Sequence, residues 1–425
     1  MNLQAWLMMM VKKMTTVIDN LKQRIMKGII ISCLIVCFAT TLFAQIAIKA
    51  DTIYTITNGV IKNGVILIKG NKIERVGKDI KIPGGYTVYE AKVVTPGLVD
   101  ARSVVGLAGP LNYKADQDQL EKSAPIQPDL RAIDAYNPDD KLVEYLRANG
   151  VTTLHTGHGV GALVSGQTMI VKTKKGLIDD VTIKPLCMLA MTIGNDVKDN
   201  YQSPGTKAKE ISMLRTELLK AQQYLAKKND KDSSKKQATD LNMEMLGMLL
   251  RKEVKGLISA NKTTDIESAL RLAKEFDFKL VIEGAAEAYR LTDEIKASGA
   301  EIIVHPTMAR ADGDMQNLTM ENAALLTKAG ITVSIESGYE SYVPKTRVVL
   351  FEAATAVGRG GMNYDDALKA ITINPANLLG IDNRVGSIEK GKDADLVLYD
   401  GDPFEYVTNV CKVIIDGKLE ADNCK

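Results

Sequence analysis

At 425 residues the chain is long enough for one large domain with a smaller companion. Its 54 Lys and Arg nearly balance 52 Asp and Glu, so neither a nucleic acid nor a strongly acidic partner is indicated. Aromatic residues are 5% of the chain and Trp occurs once, which argues against an aromatic-lined sugar or base groove.

The N-terminus carries Lys12, Lys13, Lys22, Arg24 and Lys27 ahead of an apolar run from Gly28 to Ala44. A basic flank, an apolar centre and a small residue before Gln45 make a secretory signal peptide over residues 1–44, cleaved after Ala44. Residues 1–25 read as an over-called start, because Met26-Lys27 opens a more usual leader. The expected location is the periplasm or the exterior, with an uncleaved membrane anchor as the alternative. Of five cysteines, Cys187, Cys411 and Cys424 lie beyond this segment, with no metal-knuckle spacing. Cys411 and Cys424 can pair across the last strands, but free buried thiols are the preferred reading.

From Asp51 to Glu90 the chain is β-rich, with tight-turn dipeptides at Asn58-Gly59, Asn63-Gly64 and Gly70-Asn71. The C-terminus has the same texture, in Asp395–Tyr399 and Lys412–Ile415. Neither end can hold a core alone, so residues 51–95 and 384–425 are expected to form one composite β-sandwich. The middle, residues 96–383, alternates strand and helix. Gly150–His155, Gly256–Ala260, Lys279–Glu283, Glu301–His305 and Ile331–Ile335 read as strands. Asp265–Phe276 has helical spacing, with Asp265 as N-cap. Such repeats imply a parallel sheet, and at this length a (β/α)8 barrel, giving an α/β fold with a small β domain. Residues 205–255 read as a helical insertion over one face, broken by a polar loop at Asn229–Lys236.

Five polar residues stand where chemistry is conceivable. His155 and His158 flank a Gly-rich turn and form at most a weak metal pair. His305 ends a strand and is a candidate general base. Glu283 and Glu336 are candidate carboxylates for metal-free acid–base work, or counter-charges to a cation.

The stretch Pro96-Gly97-Leu98-Val99-Asp100-Ala101-Arg102-Ser103-Val104 resembles the entry to the barrel in the amidohydrolase superfamily, where the Asp is followed by His-x-His. Gly161–Gln167 resembles a loop of its imidazolonepropionase-like branch. Ala370–Gly380 is similar to the final-helix signature, and Val385–Val397 to the return strand. The resemblance implies a hydrolase of carbon–nitrogen bonds with a divalent metal centre of four histidines, a bridging Lys or Glu, and an Asp. This chain has three histidines in all. The first-strand pair falls on Arg102 and Val104, the later histidines on Ser259 and Gly284, and the final Asp on Gly338. A guanidinium stays protonated, and neither an isopropyl group nor a glycine side chain can ligate zinc. The expectation is therefore a cell-envelope amidohydrolase relative that has lost turnover and acts as a binding or partner subunit, with no cofactor. Its partner would be an active homologue or a second copy, or a small anion drawn by Arg102. The alternative is an active hydrolase of non-peptide or dipeptide C–N bonds, using zinc in a non-standard site or no metal.

Overall fold

A computed structural model describes residues 2–37, 45–111, 113–228, 238–339 and 346–424. In chain order the strands are β1 (Gln45–Tyr54), β2 (Val60–Lys69), β3 (Lys72–Lys78), β4 (Thr87–Pro96), β5 (Leu98–Ser103), β6 (Val151–Gly157), β7 (Val164–Lys172), β8 (Thr182–Lys184), β9 (Met188–Thr192), β10 (Lys255–Ala260), β11 (Leu280–Gly284), β12 (Glu301–Val304), β13 (Val333–Ile335), β14 (Leu396–Tyr399), β15 (Val410–Ile415) and β16 (Lys418–Asp422). The segment before residue 44 is a compact unit of its own, a single helix α1 over Leu3–Cys37. Among the described residues no helix is long and apolar enough to cross a membrane. The cleavage point after Ala44 and the polar loop Asn229–Lys236 lie outside the described residues.

Strands from both chain ends share one seven-stranded sheet, in the order β16-β15-β14-β4-β1-β2-β3. β1 begins at Gln45, earlier than the sequence suggests, and pairs with β2 along its whole length. The apolar face of this sheet carries Ile48, Ile53, Ile66, Ile68, Leu396 and Ile414, all fully buried. The apolar run Val65–Ile68 accordingly buries Ile66, Leu67 and Ile68 in succession.

The second sheet is a nearly closed barrel of eight strands, β5-β6-β7-β9-β10-β11-β12-β13, with β8 paired beside β7. A bridge between Ser103 and Gly338 brings the first strand back to the last. The expectation of an all-parallel sheet fails at one strand, because β7 runs antiparallel to both β6 and β9. The reason is loop length. Only residues 158–163 join β6 to β7, and a parallel return needs a crossover of a dozen residues or more.

Gly97 marks the step from one sheet to the other. A Cβ there would sit 2.1 Å from Thr152 Oγ1, so no larger residue fits the approach of β5 to β6. The insertion is a pair of helices, Lys207–Lys228 and Leu241–Leu250. The helix expected from Asp265 starts two residues earlier, at Thr263. Asp265 is therefore no N-cap; it is buried inside the first turn and paired with Lys207.

Strand alternation positions the mouth of the barrel. Leu257 on β10, Val281 on β11 and Ile303 on β12 share one buried cluster with Val99 and Ala101. Two residues further on each strand, on the same face, come Ser259, Glu283 and His305. These are the residues at which an apolar interior gives way to polar groups.

Candidate active site at the barrel mouth

A cavity of about 850 Å³ opens where the barrel strands end. Arg102, Val104, Ser259, Gly284 and Gly338, the five residues aligned with ligand positions, all line it. So do Glu283, His305 and Glu336. The eight residues singled out from sequence thus converge on one place. The two histidines considered as a metal pair do not join them. His155 is fully buried, with Nδ1 2.6 Å from the Ala101 carbonyl and Nε2 2.7 Å from Thr168 Oγ1. Burial, helped by the Arg102 charge, pushes its pKa down to about 3. It is a neutral core histidine holding β5, β6 and β7 together. His158 meets the site through its main chain, for its carbonyl accepts from Arg102 Nη2. Burial and Arg102 push its ring down to about 4.

Arg102 dominates the floor. Only 2% of it is exposed, and three of its N–H groups are bonded within the protein. Nε donates to Glu283 Oε2 at 3.2 Å and Nη1 to the Ser103 carbonyl at 2.8 Å, with Nη2 on the His158 carbonyl. A register shift in the β5–β6 pairing between Asp100 and Ser103 lets successive residues reach different surroundings. Asp100 lies beneath. Its Oδ1 accepts from the backbone N–H of Ser337 at 3.0 Å and of Arg102 at 3.2 Å, tying the first barrel strand to the last.

One cation therefore faces three buried carboxyl groups, and protons make up the difference. Burial raises Asp100 to about 7, against the pull of its hydrogen bonds and of Arg102. Burial and then the neighbouring Glu283 carboxylate raise Glu336 well above the ordinary range, with Asp100 adding to the effect. His305 is held neutral by burial. Its Nδ1 lies 2.8 Å from the Pro306 carbonyl.

Around the rim, Tyr113, Lys114 and Lys122 come from the segment after β5, while Gln117 and Gln119 bond the Tyr339 hydroxyl at 3.1 and 3.3 Å. Sequence reading missed this cover and missed Asn261, whose Oδ1 lies where a Cβ on Gly284 would go, at 2.6 Å. The only signal for the cover was the long polar stretch between β5 and β6.

A divalent metal does not fit this mouth. The two residues that the sequence sets against the first-strand donors are a buried guanidinium and a valine. The two glycines are more than simple deletions. Gly284 has φ +78° and Gly338 φ +64°, in the left-handed region, so a histidine or aspartate at either site would be strained. Among the described residues one trio of candidate ligands comes within 4.8 Å, Asp400 with Cys411 and Cys424. It lies in the terminal sheet, and its cysteines are joined in a disulfide, against the free-thiol reading. Their Cα atoms are 4.7 Å apart across the ends of β15 and β16, within bridging reach.

An eight-stranded barrel with a companion sheet built from both chain ends, and a polar mouth at the strand ends, defines an α/β barrel protein with a small β domain. Comparison makes the class specific. The sequence model of the amidohydrolase family matches residues 334–419. The crystal structure of an amidohydrolase from Thermotoga maritima is 32% identical in sequence; the match covers 89% of this chain and 100% of that one, with a TM-score of 0.83. An imidazolonepropionase of Thermoplasma volcanium is 25% identical over 398 residues, 86% of this chain and 92% of that protein. The amidohydrolase tasK of Hapsidospora irregularis is 25% identical over 397 residues, and the match spans only 40% of that longer protein. This chain belongs to the amidohydrolase family, in its imidazolonepropionase-like branch.

Proposed function

We propose that this chain is a cell-envelope member of the family that binds a ligand or a partner at the barrel mouth without hydrolysing it. The observation that carries the reading is the Arg102–Glu283 ion pair, buried where the family's first ligand histidine would stand. Metal-activated water is how this fold type lowers the pKa of its nucleophile to about 7. A fixed positive charge repels a divalent cation, and the left-handed glycines hold no donor in its place. Two features support export: the basic-then-apolar N-terminal segment, and a disulfide, which persists in oxidising compartments. A partner of the same family, an active homologue or a second copy, is the favoured companion.

Purified mature protein offered a panel of dipeptides, N-acyl amino acids and cyclic amides, with and without added zinc, should show no turnover above a heat-treated control. Zinc-dependent turnover lost on Glu283→Ala would overturn the reading. One observation favours a second reading, a metal-free hydrolase: Glu336 holds a proton beside the neutral His305, an acid and a base at one floor. Metal-independent turnover abolished in Glu336→Gln would establish it.

A further inference from the structure

Away from the barrel, the surface that most needs an explanation is on α1, Leu3–Cys37. Among its described side chains thirteen large apolar ones are exposed, from Leu3 to Met26. They are not scattered. Leu3, Leu7, Met10, Met14, Ile18, Leu21 and Ile25 recur at steps of three or four, the spacing of one helix face. Trp6, Val11 and Val17 stand beside them. At about 100° per residue these ten fall within an arc of about 140°, and no polar side chain among those described lies inside it. Only Met8, Met9 and Met26 fall elsewhere. A single exposed leucine needs no account, but an unbroken apolar stripe about six turns long does.

The charges of the same stretch say what covers it. Lys12, Lys13 and Lys22 are exposed, against a single acid, Asp19. On the same angular count Lys13 stands just beyond one margin of the stripe and Lys22 just beyond the other, with Lys12 on the opposite face. A lysine at such a margin lays its methylene stem along an apolar layer and keeps its ammonium among headgroups. Trp6, at the edge of the stripe, has the place an indole takes at a lipid–water boundary. Apolar area and charge thus agree on one partner, a bilayer surface bearing negative charge. A second copy of the helix suits the stripe less well, because a coiled-coil seam takes about two positions in seven and this stripe is wider. A spanning helix is apolar all round, and this one is apolar on one side.

We propose that residues 3–25 form an amphipathic helix lying in the surface of an anionic bilayer, with the stripe turned into the lipid and the lysines among the headgroups. The uncleaved chain is thereby held on the membrane ahead of the apolar run that begins at Gly28. The inference is independent of what the barrel mouth does. It also replaces the expectation that residues 1–25 are an over-called start, since untranslated sequence read in frame has no cause to keep a helical period over about six turns.

Trp6 is the one tryptophan of the chain, so tryptophan fluorescence reads this helix alone. The test adds vesicles to the full chain, made by cell-free synthesis so that no peptidase removes the segment. With phosphatidylglycerol and phosphatidylcholine in equal parts, Trp6 emission should move to shorter wavelength. Bromine on the upper acyl carbons should quench it more than bromine near the bilayer centre. Vesicles of phosphatidylcholine alone should bind at least about tenfold more weakly. Lys13→Gln combined with Lys22→Gln should weaken binding to the anionic vesicles about 25-fold, the worth of two cations at such a surface. Met14→Lys adds a cation but breaks the stripe, and should weaken binding at least about tenfold. A barrel melt matched to the parent chain confirms that each variant is folded. Emission indifferent to vesicles, equal binding to the neutral ones, tighter binding by Met14→Lys, or strongest quenching at the bilayer centre would each overturn the proposal. So would a shift that follows protein concentration rather than lipid, which would assign the stripe to a second copy.

Discussion

Two buried charge clusters in this molecule have the same raw material and opposite outcomes. At the barrel mouth Arg102 faces Glu283, Glu336 and Asp100. At the junction of the two sheets, Lys172 on β7 reaches Asp393 at 2.7 Å, Asp395 at 3.1 Å and Asp416. The junction receives further cations, for Lys72 and Arg384 also hold Asp393 and Lys174 holds Asp416. Burial works against Asp393, yet Lys172 and its neighbours bring it down to about 2. Burial also opposes Lys172, and the three aspartates outweigh it to hold its pKa above the usual value. Asp395, fully buried, is the one junction carboxyl raised. The mouth has no such reinforcement, and burial pushes both Asp100 and Glu336 up. A cluster supplied with enough counter-charge is a fastening between domains. A cluster left short of it, lining a cavity, is a place for something else to bind.

The largest expected effect is at the fastening. Lys172→Met leaves three aspartates without their central cation and should cost about 3–5 kcal/mol in chemical denaturation. Glu283→Gln at the mouth should cost less, about 1–2 kcal/mol, because the amide still accepts from Arg102 and Glu336 can release its proton to restore the negative charge. Equal losses at the two sites would break the comparison.

Titration sharpens it further. Between about pH 4 and 7 folded Asp100 keeps a proton that the unfolded chain has released. Its contribution therefore falls as pH rises through that window and levels off above it. Asp393 has the opposite sign: its contribution is present above about pH 4 and lost as pH falls toward 2. Asp100→Asn should flatten the first slope in pH-dependent melts and leave the acid limb alone. A smaller effect is expected at the last strands. Reducing the Cys411–Cys424 bridge, which closes a short loop, should lower stability by about 2–3 kcal/mol at most, without altering binding at the mouth.

Much of this was legible in the sequence because period-2 alternation is local. Leu257 and Ser259, Val281 and Glu283, Ile303 and His305 stand two apart, so the floor of the mouth could be located strand by strand before any coordinates. The motif around Pro96–Asp100 placed the first strand, and the failed ligand positions followed from counting along it. The reversal of β7 was not read, although the short loop after Gly157 carried the signal. The cation at Lys172 was not read either. A lysine ending the apolar run Met169–Val171 announces nothing until residues some 220 to 240 positions later fold against it. Long-range charge pairing has no period, and that is why the fastening stayed hidden while the mouth did not.

The central claim is that a buried guanidinium has taken the place of a metal. It is tested most directly by the divalent-metal content of the mature protein, purified without chelator and dialysed against zinc. The account predicts that zinc washes away to background and leaves the melting temperature unchanged. Zinc retained in stoichiometric amount and released only with unfolding, or on replacing Glu283, would contradict it.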